Sequence, residues 1–283
     1  MTAVAHLARL RQNEHQRQAC LRLWQKMVQR QIYITGGIGS QSFGEAFSSD
    51  YDLPNDTAYA ESCASIGLMM FARRMLEMEV DSRYADVMER ALYNTVLGSI
   101  AFDGRHYFYV NPLEVHPKTL RSNGIYSHVR AVRQRWFGCA CCPPNVARIF
   151  TSIGHYIYKS CSDALYINLY IGNRVAVSVG GHTLQLFMSG NYPWKDEVEI
   201  ALESAQPIVH TLALRLPEWC SAPETTLNGE PLNCESRKGY LHIHRTWRQG
   251  DRVKLSLPMA VPAYTAIRNF AIWRARWLSS VAL

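Results

Sequence analysis

Three thiols fall within four residues in the run Gly138-Cys139-Ala140-Cys141-Cys142-Pro143-Pro144-Asn145. Adjacent cysteines do not readily bond to each other, but both can ligate one soft metal ion, and one of them can act as a nucleophile. Upstream, Glu61-Ser62-Cys63 adds a carboxylate and another thiol. Taken together the two clusters offer one carboxylate and three thiolates, a full tetrahedral set for zinc. Further upstream Gly44-Glu45 supplies a separate carboxylate in a Gly- and Ser-rich stretch. A metal-held thiolate with an acid beside it is a hypothesis of covalent catalysis.

The elements around these clusters set how they can be presented. Glu61 and Cys63 are two apart, so on a regular helix their side chains diverge by about 200°. In an extended segment they face the same way. The motif is therefore expected at the start of a helix and not inside it. A strong apolar pattern follows from Ser62 to Glu79, and another from Arg83 to Ile100. Met1–Arg30 reads as one helix, Ile32–Asp56 as a long loop, and Arg105–Val110 as a short strand. Pro143–Tyr158 reads as a helix opened by prolines, with Cys141 and Cys142 just before it. A helix N-terminus carries partial positive charge and favours thiolates.

Beyond Lys159 the texture changes to short alternating runs. Strands are expected at Ala164–Ile171, Arg174–Val179, His182–Met188, Glu197–Glu203, His210–Leu216, Tyr240–His244 and Arg252–Leu257. Asn228-Gly229 and Gln249-Gly250-Asp251 mark turns. The pattern is that of a β-sandwich following a helical domain, with the boundary near Cys161.

Composition narrows the function classes. The chain has 283 residues, 48% of them hydrophobic, enough for a sizeable core and two domains. Its formal charge is +7, but the basic residues are scattered and do not interleave with aromatics, which argues against nucleic acid. Eight cysteines show no disulfide-scaffold spacing, and Met1–Arg30 is polar, without a signal peptide. No apolar run reaches membrane-spanning length. A reducing cytoplasm fits, and it keeps thiols available for metal. Gly36-Gly37-Ile38-Gly39 lacks the Lys-Ser/Thr and the βαβ setting of a phosphate loop. The ten histidines show no paired metal spacing, and His242 and His244 alternate along a strand without more.

Several uncommon strings keep a fixed order: Tyr33-Ile34-Thr35-Gly36-Gly37-Ile38-Gly39, Gly44-Glu45, Tyr59-Ala60-Glu61-Ser62-Cys63, Asn111-Pro112-Leu113 and Cys141-Cys142-Pro143-Pro144-Asn145. On these motifs the chain resembles glycoside hydrolase family 127 from about Gln16 to about Ala260. Its characterised members are retaining β-L-arabinofuranosidases. The resemblance implies Cys141 as nucleophile, Glu45 as general acid/base, and Glu61, Cys63, Cys141 and Cys142 as zinc ligands. It also implies a tyrosine beside the nucleophile, Tyr109 in preference to Tyr107, with a core or rim role for both as the alternative. The expected architecture is α + β multidomain. A partial α/α toroid, the back half of a six-hairpin barrel, spans 1–160, and a truncated antiparallel β-sandwich spans 161–261. The substrate would be a small carbohydrate, with homo-oligomerisation left open.

The chain departs from the family at both ends. It starts at what reads as the middle of the toroid. At the other end the segment Arg274–Leu283 replaces a family stretch whose codons, read one base out of frame, encode Ala275 to Ala282. A frameshifted tail over 262–283 is expected, and a chain of this extent is expected to be inactive alone. The competing reading is a zinc-binding structural or interaction module without catalysis. Two geometric expectations follow for a structure. The four donor atoms should converge within about 4 Å of one another, and Glu45 should face Cys141 at about 5–6 Å.

Overall fold

The computed structural model describes residues 1–118, 120 and 124–261, together with the backbone of 263–264 and 278–279. The chain divides into two compact units, Met1–Tyr156 and Ile157–Leu283. The expected frameshifted tail lies outside the described residues, apart from the paired two-residue strands Ala263–Tyr264 and Leu278–Ser279.

The first unit is helical. Its principal helices are α1 (Thr2–Leu10), α2 (Glu14–Arg30), α3 (Ser62–Met78), α4 (Ser82–Arg90) and α5 (Cys142–Thr151). α3 is central. It buries Ile66, Leu68, Met69, Phe71, Ala72, Met75 and Leu76, a stripe at helical spacing wide enough to be covered by α1, α4 and α5. Each side chain of this size contributes about 1.5–3 kcal/mol when buried. Trp24 of α2 meets Phe71 and Tyr84 edge-on at 5.7 and 4.9 Å, a favoured aromatic arrangement.

The single helix expected over Met1–Arg30 is two. Gln12 takes a left-handed φ of 50°, and the Asn13 side chain caps α2 by accepting from the Gln16 N–H at 3.0 Å. The apolar stripe ran across this break because capping chemistry, and not periodicity, decides where a helix restarts. The second expected helix also changes character. After α4 the chain widens into a π-helical stretch, Ala91–Val96. The strand expected at Arg105–Val110 is reduced to isolated bridges, Tyr107 with Ile100 and Gln134, and Val110 with Glu61.

Gly36 explains how the long loop after α2 is seated. A Cβ there would stand 2.6 Å from the Ala91 backbone nitrogen, and its φ is +80°, so only glycine allows this approach. The Thr95 hydroxyl donates to the Thr35 carbonyl at 2.8 Å beside it. The π stretch is thus the floor on which the stem of the loop rests.

Apart from the two-stranded pair of Ala263–Tyr264 and Leu278–Ser279, the second unit carries two larger sheets. One runs β1-β2-β6-β10-β9, using Tyr158–Ser160, Ala164–Ile167, Ile208–Arg215, Tyr240–Trp247 and Ser236–Arg237. The other runs β3-β4-β5-β11-β7-β8, using Asn173–Val179, His182–Gly190, Glu197–Glu203, Arg252–Ser256, Glu224–Leu227 and Glu230–Pro231. Pairing is antiparallel except between β2 and β6, which is parallel, so the expectation of an all-antiparallel sandwich is corrected there. Alternation supplies the core. Leu186 and Met188 of β4 stand opposite Leu202 and Ile200 of β5, and Ile200 and Val198 stand opposite Val253 and Leu255 of β11. No helix among the described residues is long and apolar enough to cross a membrane.

Candidate functional site

Two helix N-termini hold the sulfur cluster. Glu61 is the residue just before α3 and has extended backbone (φ −61°, ψ 140°), while Cys63 lies in the first turn. The expectation of a motif at the start of the helix holds for Glu61, and Cys63 is already helical. Cys141 stands just before α5 and Cys142 is its first residue, with prolines in the first turn where a missing N–H leaves nothing unpaired. The expectation that both cysteines precede the helix is corrected for Cys142.

The partner segment sets the register. Ser62 N–H donates to the Tyr109 carbonyl at 3.0 Å, and the Asn111 amide donates to the Ala60 carbonyl at 2.9 Å and to Ser62 Oγ at 3.1 Å. This run beside Ala60–Ser62 brings the Tyr109 hydroxyl to 3.2 Å from Cys141 Sγ. Tyr107 is a buried core aromatic that packs on Phe137 at 5.1 Å.

The four donor atoms converge. Cys63 Sγ lies 3.6 Å from both Cys141 Sγ and Cys142 Sγ, and those two are 3.8 Å apart. Glu61 Oε1 lies 3.3 Å from Cys141 Sγ and 3.7 Å from Cys142 Sγ. All four donors fall within 4.8 Å of one another, a little wider than expected from the sequence. Glu61 is 8% exposed, and among the described residues no lysine or arginine pairs with it. A buried carboxylate among three thiols is costly unless something positive joins it.

The titration pattern expresses the same crowding. Cys63 is drawn down to about 7, first by the hydrogen bond with Cys142 and further by Asn145, against burial. Cys142 is driven far up, first by that contact with Cys63 and then by burial. Cys141 is pushed up to about 12, first by burial, with Glu61 and Cys63 adding and Tyr109 opposing. Cys63 is thus the thiol most easily ionised, while burial and the contacts with Cys63 and Glu61 oppose ionisation of Cys141 and Cys142.

Glu45 is placed differently. Gln41 and Ala46 pair through both backbone hydrogen bonds, and the chain turns between them through Gly44 (φ 71°) and Glu45 (φ 50°). The carboxylate stands exposed at the tip. Its Oε1 accepts from the Tyr59 hydroxyl at 2.8 Å and from the Tyr109 hydroxyl at 3.4 Å. Since Tyr109 also touches Cys141, one hydroxyl links Glu45 to the sulfur cluster. Their separation cannot exceed the sum of those two contacts, which leaves room for the ~5–5.5 Å typical of retaining pairs. Tyr59 was not singled out from the sequence, although it sits in a quoted motif. Its only signal was the alternation Ala58-Tyr59-Ala60, in which the alanines are fully buried and the ring is turned outward.

Comparison with known proteins bears on this arrangement. Residues 1–155 match the family described as beta-L-arabinofuranosidase, GH127 catalytic domain, and residues 164–259 match its middle domain. The chain is 38% identical over 264 residues to a non-reducing end beta-L-arabinofuranosidase of Bifidobacterium longum subsp. longum, covering 91% of this chain and 39% of that protein. It is similar to the crystal structure of a GH127 beta-L-arabinofuranosidase from Geobacillus stearothermophilus T6, with TM-score 0.95, 47% identity, and coverage of 99% of this chain and 44% of that one. A second solved GH127 beta-arabinofuranosidase gives TM-score 0.89 at 32% identity, with coverage of 99% and 45%. The chain therefore spans under half the length of each of these relatives. With both family matches in order along the sequence, the chain belongs to glycoside hydrolase family 127.

Proposed function

We propose that this chain carries the reacting groups of a retaining hydrolase of β-L-arabinofuranosides, with Cys141 as nucleophile, Glu45 as general acid/base and zinc as the metal. The observation that carries the reading is the link from the converged sulfur cluster through the Tyr109 hydroxyl to Glu45. The helical unit is then part of an α/α toroid whose inner surface presents these residues. All eight cysteines are unpaired, which suits a reducing cytoplasm.

The donor set fits zinc. Zinc–sulfur bonds near 2.3 Å and zinc–oxygen bonds near 2.0–2.2 Å give tetrahedral edges of about 3.8 Å between sulfurs and about 3.5 Å between sulfur and oxygen. Five of the six edges, at 3.6, 3.6 and 3.8 Å between sulfurs and 3.3 and 3.7 Å from Glu61 to Cys141 and Cys142, lie close to those values, and the sixth, between Glu61 and Cys63, is longer, within the 4.8 Å that spans the set. When bound, the ion supplies the positive charge that lets the three thiols ionise together.

The residues then act in two stages. Glu45 gives its proton to the leaving oxygen while Cys141 Sγ attacks the anomeric carbon, displacing the aglycone and leaving the sugar on sulfur. Glu45, now a carboxylate, takes a proton from water, whose oxygen attacks the same carbon and releases Cys141 as thiolate. Two inversions give net retention. Tyr109 donates toward Glu45 and borders the sulfur, so it helps hold the sugar between them.

Trapping decides the reading. Incubation of the full chain, loaded with zinc, with a bromoacetamide derivative of β-L-arabinofuranosylamine should label Cys141, as read by peptide mass mapping. Labelling of another cysteine, or none while zinc stays bound, would reduce the cluster to a non-catalytic metal module.

A further inference from the structure

Glu45 is held in an unusual way for a group that must exchange a proton with accuracy. It stands exposed at the tip of a turn of only a few residues, its own φ is 50°, and the preceding residue is Gly44 at φ 71°. Nothing in the turn itself fixes the carboxylate. Both of its hydrogen bonds come from phenols on other segments, and both end on Oε1. The contact with Tyr59, at 2.8 Å, is a full hydrogen bond, while that with Tyr109, at 3.4 Å, is a weak one.

Tyr59 is itself firmly seated. Its backbone N–H donates to the Ser40 carbonyl at 3.3 Å, and its carbonyl accepts from the Asn111 N–H at 3.3 Å. Ala58 and Ala60 on either side are fully buried, whereas Tyr59 is only half-buried, and Ala60 takes a left-handed φ of 38°. The Tyr59 ring lies edge-on to Tyr109 at 6.1 Å and against His128 at 5.8 Å. His128 is fixed in turn through Nε2, 3.1 Å from the Thr57 carbonyl.

We infer that Tyr59 is a positioning residue for the acid/base, its phenol anchoring Oε1 of Glu45 so that Oε2 is the oxygen that carries and exchanges the proton. The inference rests on the reading of Glu45 as acid/base given above. Oε1 already accepts two hydroxyl protons, so a third proton there would displace one of them, whereas Oε2 has no hydrogen-bond partner among the described residues. Tyr59 touches neither the sulfur cluster nor the sugar carbon in this scheme. Its hydrogen bond to Glu45 is the contact through which it acts.

The test uses leaving-group dependence in the full, zinc-loaded chain. A 4-nitrophenyl leaving group departs without a proton, but a methyl or sugar alcohol does not. Tyr59→Phe keeps the ring and its packing and deletes only the hydroxyl. It should lower kcat/KM on methyl β-L-arabinofuranoside by about 10- to 100-fold, part of the full general-acid effect. On the 4-nitrophenyl glycoside the loss should stay within about threefold, and zinc content and thermal midpoint should match the parent. An equal loss on both substrates, or no loss on either, would overturn the inference. Glu45→Gln run in parallel separates the two levels. If it loses the methyl glycoside and Tyr59→Phe does not, only the role of Tyr59 falls. If Glu45→Gln retains full activity on the methyl glycoside, the acid/base reading falls and takes this one with it.

Discussion

The two halves of the site are built on opposite plans. The sulfur cluster sits where α3 and α5 begin, with Glu61 and Cys142 buried and every donor within 4.8 Å of the others. Glu45 sits on an exposed turn, attached to the rest by two phenol contacts to one oxygen. The first half is fixed by packed helices, because charge confined in a small space tolerates little displacement. The second is exposed and is held by side chains from other segments, as suits a group that must first protonate a leaving oxygen and then meet water from the same side. Burial is therefore concentrated where like charges crowd, and exposure where protons move.

The largest effects should come from the rigid half. Cys141→Ser is expected to lower turnover by more than about a thousandfold, the scale on which nucleophile deletions act. Cys142→Ser should instead act chiefly through metal content. Zinc titration beside steady-state rates separates the two, and equal rates for Cys141→Ser and the parent would break the comparison at its centre.

Next in size is the exposed half. Glu45→Gln should cost about 10²–10⁴-fold on substrates with poor leaving groups, while leaving zinc stoichiometry intact. A loss of zinc in this variant would mean that the halves are not separate.

A smaller effect should arise where the loop stem is pinned. Gly36→Ala must place a Cβ against the Ala91 backbone at 2.6 Å while holding φ at +80°. It is expected to cost about 1–3 kcal/mol, read as a lower denaturation midpoint. It should lower activity more than zinc affinity, since the stem leads to Glu45.

The smallest lies in the β unit and serves as the control. Asp251 accepts from Asn228 Nδ2 at 2.8 Å and from the Arg248 N–H at 2.9 Å. Burial works to raise its pKa, but these hydrogen bonds and nearby arginines outweigh it, and the net shift is downward. A carboxylate lowered on folding contributes stability above its unfolded value of about 3.9. That contribution is lost as pH falls through the folded value. Asp251→Asn should therefore cost about 1–2 kcal/mol near neutrality and converge with the parent under acid, with zinc content unchanged. A pH-independent difference would contradict this account.

Local patterns carried much of the fold. The strand Glu197–Glu203 was legible to the residue, because one buried face forces strict alternation of Val198, Ile200 and Leu202. α3 was equally clear from its apolar stripe. Glu224–Leu227, Glu230–Pro231 and Ser236–Arg237 escaped, being short and largely exposed, with no buried position to show a period. The π stretch Ala91–Val96 escaped because one extra residue in a turn leaves the apolar spacing nearly unchanged.

The site divides along the same line. The sequence alone determined the donor types and the helix starts that present them, since both depend on neighbours in the chain: a carboxylate two residues before a thiol, a cysteine pair ahead of two prolines. Spacing by itself does not bring Glu61 to Cys141, 80 residues away, an expectation that came only from the family resemblance, and nothing in the sequence singled out the Tyr59 hydroxyl as a donor to Glu45. Side-chain period states which face a residue occupies, and it is silent on what that face meets. Only the tertiary structure decided those meetings, by packing α3 against α5 and laying Tyr109 beside Ser62.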